Sequence, residues 1–260
     1  MGTQAPNPST VKRGRWLWLS AGVLLALTIG WLHHRGGVRA EIVRADPERV
    51  LSDVRLAPTA LAIGRKIFAA HCAACHGDGG QGDSQSGVPD LRDGDYIYGT
   101  GLVAEIEEIV LHGIRSGDSR GWGLASMPAY ARPKPYDRDP IPPLSPGDIA
   151  DVTAFVRGLG GQAGDLAAIR RGEAIYQGRG GCWDCHDRQG RGDAGIGAPN
   201  LADAIWLHGD GSASSVSRSI AHGLAGISPA FAKRISPFEA RAVSLYVASL
   251  AAPTKTEVQP

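Results

Sequence analysis

The sequence predicts an all-α chain, one N-terminal transmembrane helix followed by two tandem copies of a small helical domain. Three observations carry this. Residues 16–32 form an uninterrupted uncharged run, a repeat comes into register when the chain is shifted by 110 residues, and two Ser-Pro signals each open an apolar stripe at helical spacing.

The first element is the run WLWLSAGVLLALTIGWL from Trp16 to Leu32, preceded by Lys12, Arg13 and Arg15. Its 17 residues meet the lower end of the ~17–25 needed to span a bilayer. Trp16, Trp18 and Trp31 stand near its ends, where interfacial aromatics belong. A cleaved signal peptide is the competing reading, with Val38-Arg39-Ala40 as its cleavage site. Against it, the run exceeds the usual h-region of ~7–15 residues and the site lies late. A buried core helix fits poorly with so few polar residues. The expected layout is a cytoplasmic N-terminus over 1–15, an uncleaved anchor over 16–32 and a polar stalk over 33–57. Arg35, Arg39 and Arg44 weaken the charge asymmetry that orients the anchor.

Next comes Cys72-Ala-Ala-Cys75-His76, which returns as Cys182-Trp-Asp-Cys185-His186 and with it uses all four cysteines. The pattern C-x-x-C-H is the attachment sequence of c-type haem. Two thiols add to the porphyrin vinyl groups, and the following His comes to lie under the iron as its proximal ligand. A zinc ribbon brings its Cys pairs closer in sequence, and a redox C-x-x-C requires no following His. Two covalently bound haem c groups are therefore expected, with Cys72, Cys75, Cys182 and Cys185 as attachment points and His76 and His186 as iron ligands. Haem c is attached outside a bacterial inner membrane, which places the chain beyond about residue 45 in the periplasm.

The 110-residue shift aligns His76, Gly80, Gly82, Asp83, Gly87, Pro89 and Leu91 with His186, Gly190, Gly192, Asp193, Gly197, Pro199 and Leu201. Such ungapped agreement marks a tandem repeat. The expected domains are 58–160 and 161–252, joined at the short linker 160–166, with a disordered tail over 253–260. Gly64 and Phe68 precede the first motif as Gly172 and Tyr176 precede the second. The last helix of each copy opens with a capping box, Ser145-Pro-Gly-Asp148 and Ser236-Pro-Phe-Glu239. Apolar stripes follow at Val152, Phe155, Val156, Leu159 and at Val243, Tyr246, Val247, Leu250. Each early Gly is expected to pack against the aromatic of the last helix. The first copy has nine extra residues before Met127 and a Pro-rich loop over 133–143.

Six-coordinate haem c commonly takes a thioether opposite its His. Met127 is the only Met besides Met1, and Pro128 biases it to the extended conformation of a ligand arm. The second copy has Ser228 in that place. The expectation is a first haem bound by His76 and Met127 and a second, beside His186, left open or loosely filled. His208, His222 and Lys233 are weighed as substitutes, and His222 is matched by His112 in the copy that has its Met.

On CAACHGDGGQGDSQSGVPDLRDGDYIYG, HGIRSG…MPAY, CWDCHDRQGRGDAGIGAPNLADAIWLHG and HGLAGISPAF, residues 58–252 resemble the membrane-anchored di-haem subunit III of cbb3-type cytochrome c oxidases. The resemblance implies two class I cytochrome c domains relaying electrons from a soluble donor to a haem–copper core. It implies His76 and Met127 as axial ligands of haem one and His186 as proximal ligand of haem two. The family pattern has Met where Ser228 stands.

The function expected is electron transfer between periplasmic redox partners, such as a cytochrome, and a membrane respiratory complex, without catalysis by this chain. The alternative uses the open second haem as a peroxidase-like enzyme or gas sensor. The net charge is +1, and no basic stripe invites nucleic acid. Asp90, Asp93, Asp95, Glu105, Glu107 and Glu108 are expected either to face a basic partner or to form an ordinary solvated face.

Overall fold

The computed structural model describes residues 36–133 and 143–251, with Leu24, Leu25 and Thr28. The anchor, apart from those three residues, the tail over 253–260 and most of the Pro-rich loop lie outside the described residues. Among the described residues no helix is long and apolar enough to cross a membrane. Among the described residues the regular structure is helical, joined by turns and loops, with β pairing confined to isolated bridges.

Residues 36–44 form α1. After it come α2 (Pro47–Val50), α3 (Ala57–His71), α4 (Ala73–His76), α5 (Val103–His112) and α6 (Pro146–Leu159). The second copy supplies α7 (Leu166–Gln177), α8 (Trp183–His186), α9 (Ala213–His222) and α10 (Pro237–Leu250). Both capping boxes form as the sequence predicts. Ser145 accepts the Asp148 N–H while the Asp148 carboxylate accepts the Ser145 N–H at 3.0 Å, and Ser236 and Glu239 do the same at the start of α10. The Arg179 guanidinium, followed by hydrogen bonds from Ser145, holds the Asp148 pKa below the ordinary range, and hydrogen bonds from Ser236 do so at Glu239.

The last helix of each repeat packs on the other repeat. α10, from the second copy, lies along α3 and α5 of the first, while α6, from the first copy, lies along α7 and α9 of the second. The Gly-to-aromatic packing survives, but across repeats. A Cβ at Gly64 would strike the backbone carbonyl of Ala242 and the Cβ of Tyr246, and one at Gly172 would strike Asp151 and Phe155. Only glycine lets the axes cross this closely. The rings follow suit: Phe68 meets Tyr246 at 5.4 Å between centroids, and Tyr176 meets Phe155 at 5.0 Å.

Connection length supplies the physical reason. Residues 160–165 are all that separate α6 from α7, and short connections make helices antiparallel neighbours. With α6 drawn into the second unit, the face of α3 is covered by α10. The result is a first unit of α1–α5 and α10 and a second of α6–α9.

The stretch read as a polar stalk is also part of the core. Ile42, Val50 and Leu56 are almost fully buried in one cluster with Leu245 of α10 and Val103 of α5. Glu48 reaches from α2 to accept the Val103 and Ala104 N–H groups at 3.0 Å each, capping α5 from outside. Arg241 of α10 pairs with Glu107 of α5 and donates to the Ile42 and Ala45 carbonyls, binding three elements together.

Candidate metal centres

The first C-x-x-C-H motif begins directly where α3 ends and the second follows α7 after residues 178–181, and the last four residues of each form a single helical turn, α4 or α8. That turn holds two sulfurs on one side with the His at its end. His76 Nδ1 lies 3.4 Å from the Pro89 carbonyl and His186 Nδ1 3.0 Å from that of Pro199. A proton on Nδ1 would donate to that oxygen and leave Nε2 as a lone pair for iron. Burial lowers both imidazole pKa values against the opposing pull of the Pro carbonyl, which favours the neutral ring a metal requires. Burial and the neighbouring Cys75 push the Cys72 thiol up to about 11.

Both motifs open on one continuous cavity of about 550 Å³ with largely apolar walls. That volume falls within the ~300–1,000 Å³ of cofactor clefts. Paired sulfurs, a single oriented imidazole and an apolar space together fit a covalently held haem at each motif.

The arms that follow α5 and α9 exchange units like the last helices. Met127 and Leu224 trade backbone hydrogen bonds at 3.0 Å in both directions. Tyr130 then donates its N–H to Ile220 at 3.0 Å. Met127 consequently packs on the cluster of Val216, Ile220 and Tyr176, together with Cys182 of the second motif. Ser228 makes the reciprocal pair with Ile114, at 2.9 and 3.0 Å, and Phe231 donates its N–H to Val110 at 3.1 Å. The Met127 arm thus stands in the second unit and the Ser228 arm in the first, where the sequence reading sets Met127 with His76 and Ser228 beside His186. Leu144 donates its N–H to the Tyr130 carbonyl at 2.8 Å, which keeps the end of this arm beside the start of α6.

The substitute ligands separate clearly. His208 lines the cavity, with its ring in the space that a side chain at Gly87 would need, beside the loop that brings Pro89 to His76. Tyr98 makes the reciprocal contact at Gly197. His222 and Lys233 are exposed and line no part of the cavity. His112 is buried, with Nδ1 at 3.2 Å from Asp118, and it too lies off the cavity wall.

Sequence reading missed Arg115. Its backbone is left-handed, with φ 48°, and its guanidinium joins both arms. Nε donates to the Gly226 carbonyl at 2.6 Å, and Nη1 donates to the Ala125 carbonyl at 2.8 Å and the Tyr98 hydroxyl at 2.9 Å. The available signal was asymmetry, because Ala225 occupies the matching place in the second copy.

The acidic cluster is largely spent inside the fold. Asp90 pairs with Arg92 at 2.7 Å and Glu108 with Arg120 at 2.8 Å. Glu105 accepts N–H groups from Thr100 and Leu102 at the start of α5, and Glu107 holds Arg241.

The family model described as "Cytochrome c" matches residues 61–160, and that described as "Cytochrome C oxidase, cbb3-type, subunit III" matches residues 167–247. The cbb3-type cytochrome c oxidase subunit FixP of Azorhizobium caulinodans is 36% identical over 217 residues, covering 83% of this chain and 68% of that protein. FixP of Bradyrhizobium sp. (strain ORS 278) is 34% identical over 223 residues, covering 83% and 70%. The subunit CcoP of Rhodobacter capsulatus is 33% identical over 221 residues, covering 82% and 70%.

Proposed function

The chain belongs to the subunit III family of cbb3-type cytochrome c oxidases, and from that membership we propose that it carries electrons into such an oxidase from a periplasmic donor. It is a non-catalytic electron-transfer subunit with two covalently bound haem c groups. The reading places residues 16–32 across the inner membrane and the two repeats, 58–160 and 161–252, in the periplasm.

Haem c supplies reversible one-electron chemistry when bound. The chain does the rest. Cys72 and Cys75, and Cys182 and Cys185, hold the two groups by thioether bonds. His76 and His186 present Nε2, each ring fixed by its Pro carbonyl. Met127 is assigned to the iron beside His186, because its arm is bonded to Leu224 and to Ile220 of α9 and it packs on the same core cluster as Cys182. A soft thioether favours Fe(II) and raises the potential. The largely apolar walls leave few polar groups around the two centres, which limits the rearrangement that accompanies each electron.

The observation that carries the proposal is the single cavity reached by both motifs, which supports a short relay with no intervening wall. The test is purification of the tagged, detergent-extracted chain. A haem–copper subunit should come with it, and a reduced soluble donor should reduce the c-type absorbance before the b-type. Isolation of the chain alone, with no acceleration of oxidase turnover when it is added back, would refute the role.

A further inference from the structure

We propose that the centre built on Cys72, Cys75 and His76 binds a small neutral diatomic ligand, of the class of carbon monoxide and nitric oxide, beneath the hydroxyl of Ser228. The proposal rests on the site assignment made above, in which each motif holds a haem and Met127 serves the second.

The argument is one of position. In the second unit the residue bonded to Leu224 is a thioether; in the first, the residue bonded to the equivalent Ile114 is Ser228. The two arms are otherwise alike. Each continues with Pro-Ala and an aromatic, and each aromatic N–H is bonded to the helix of the opposite repeat. Ser228 lines the cavity, as Met127 does. A hydroxyl is a hard, weak donor to ferrous iron, whereas it can donate a hydrogen bond to a bound ligand.

Among the described residues, the other donors stand elsewhere. Met127 is tied into the second unit by its arm. His112, His222 and Lys233 lie off the cavity wall. His208 rests at Gly87, on the loop that carries Pro89 to His76, rather than on the Ser228 arm. His71 ends α3 directly before Cys72, which sets it on the attachment side, and its ring meets Phe231 edgewise at 5.9 Å. Phe231 of the Ser228 arm is bonded to Val110, both line the cavity with Ile106, and this apolar lining suits a neutral ligand.

The experiment is a carbon monoxide titration of the full-length, detergent-solubilised, dithionite-reduced holoprotein, with haem counted independently. One equivalent should bind per two haems. Ser228→Met should abolish the uptake, and Met127→Ala should double it. The oxidised protein should show the near-infrared sulfur-to-iron band, and Met127→Ala should remove it. Two cysteine variants locate the uptake. Cys72→Ala/Cys75→Ala should lose it and keep the band, whereas Cys182→Ala/Cys185→Ala should keep it and lose the band. The reverse pattern would overturn the proposal, as would an unmodified protein that takes up no carbon monoxide. If the cysteine variants fail to accumulate, proton NMR of the reduced unmodified protein decides. Cross-peaks from the Met127 ε-methyl to Val216 and Ile220 are expected, and cross-peaks to Ile106 and Val110 would overturn the proposal. Covalent haem staining tests the underlying assignment separately: fewer than two haems per unmodified chain would remove that assignment, whatever the gas titration shows.

Discussion

Arg115 shows how one side chain can govern two centres. It fastens the Met127 arm through the Ala125 carbonyl and the Ser228 arm through that of Gly226, from a backbone conformation that L-residues rarely adopt. Arg115→Ala should therefore loosen Met127 without touching it. A hydrogen bond from a charged donor contributes roughly 1.5–3 kcal/mol, so the near-infrared sulfur band should bleach at a distinctly lower temperature in the variant. A band that melts together with that of the unmodified protein would show that the arms hold themselves. At this scale the sequence was legible where chemistry demands a residue type. The two C-x-x-C-H motifs, the lone internal Met and Ser228 in the Met position could all be read directly. Which unit the Met127 arm enters could not, because ligand spacing says nothing about which of two near-identical units an arm joins.

Among the elements, both capping boxes and their apolar stripes were legible, since a local hydrogen-bond exchange and a 3.6-residue period need no tertiary context. The exchange of α6 and α10 was not. Phe155 and Tyr246 present similar faces to Gly64 and Gly172, so periodicity fits either partner, and the brevity of residues 160–165 was the only clue. The tight crossings give a direct check. Gly64→Ala and Gly172→Ala each drive a methyl into backbone of the crossing helix, and overpacking of this kind costs about 1–3 kcal/mol. Urea unfolding should show that loss for both, and an unchanged midpoint would contradict the observed crossing. The caps also set a pH response. Asp148 and Glu239 have pKa values held below their unfolded values, so their contribution is fully present above the unfolded carboxylate range near pH 4 and is lost as pH falls through the depressed values. Unfolding midpoints should fall on acidification below about pH 4, and Asp148→Asn and Glu239→Gln together should flatten that dependence.

As a whole molecule, the two units are one object. α10 closes the first, α6 closes the second, the arms cross, and Gly99 and Gly209 donate N–H bonds to Ala194 and Ser84 of the opposite copy at 3.1 and 2.8 Å. Calorimetry of the holoprotein should record a single cooperative transition, and residues 58–160 or 161–252 expressed alone should not give compact folded products. Two resolved transitions, or a stable single-repeat fragment, would contradict this interdependence. The exchange also has a consequence in time. A chain made from its N-terminus delivers α3 and the first motif early, yet the helix that covers them is the last to emerge. Until then the first pair of thiols stays uncovered while the second unit already has all its helices. Contacts so distant along the chain form slowly. The interval in which the first cofactor can be attached is therefore set by the arrival of residues 237–250, and premature termination anywhere before them would leave the electron carrier with its first centre permanently exposed.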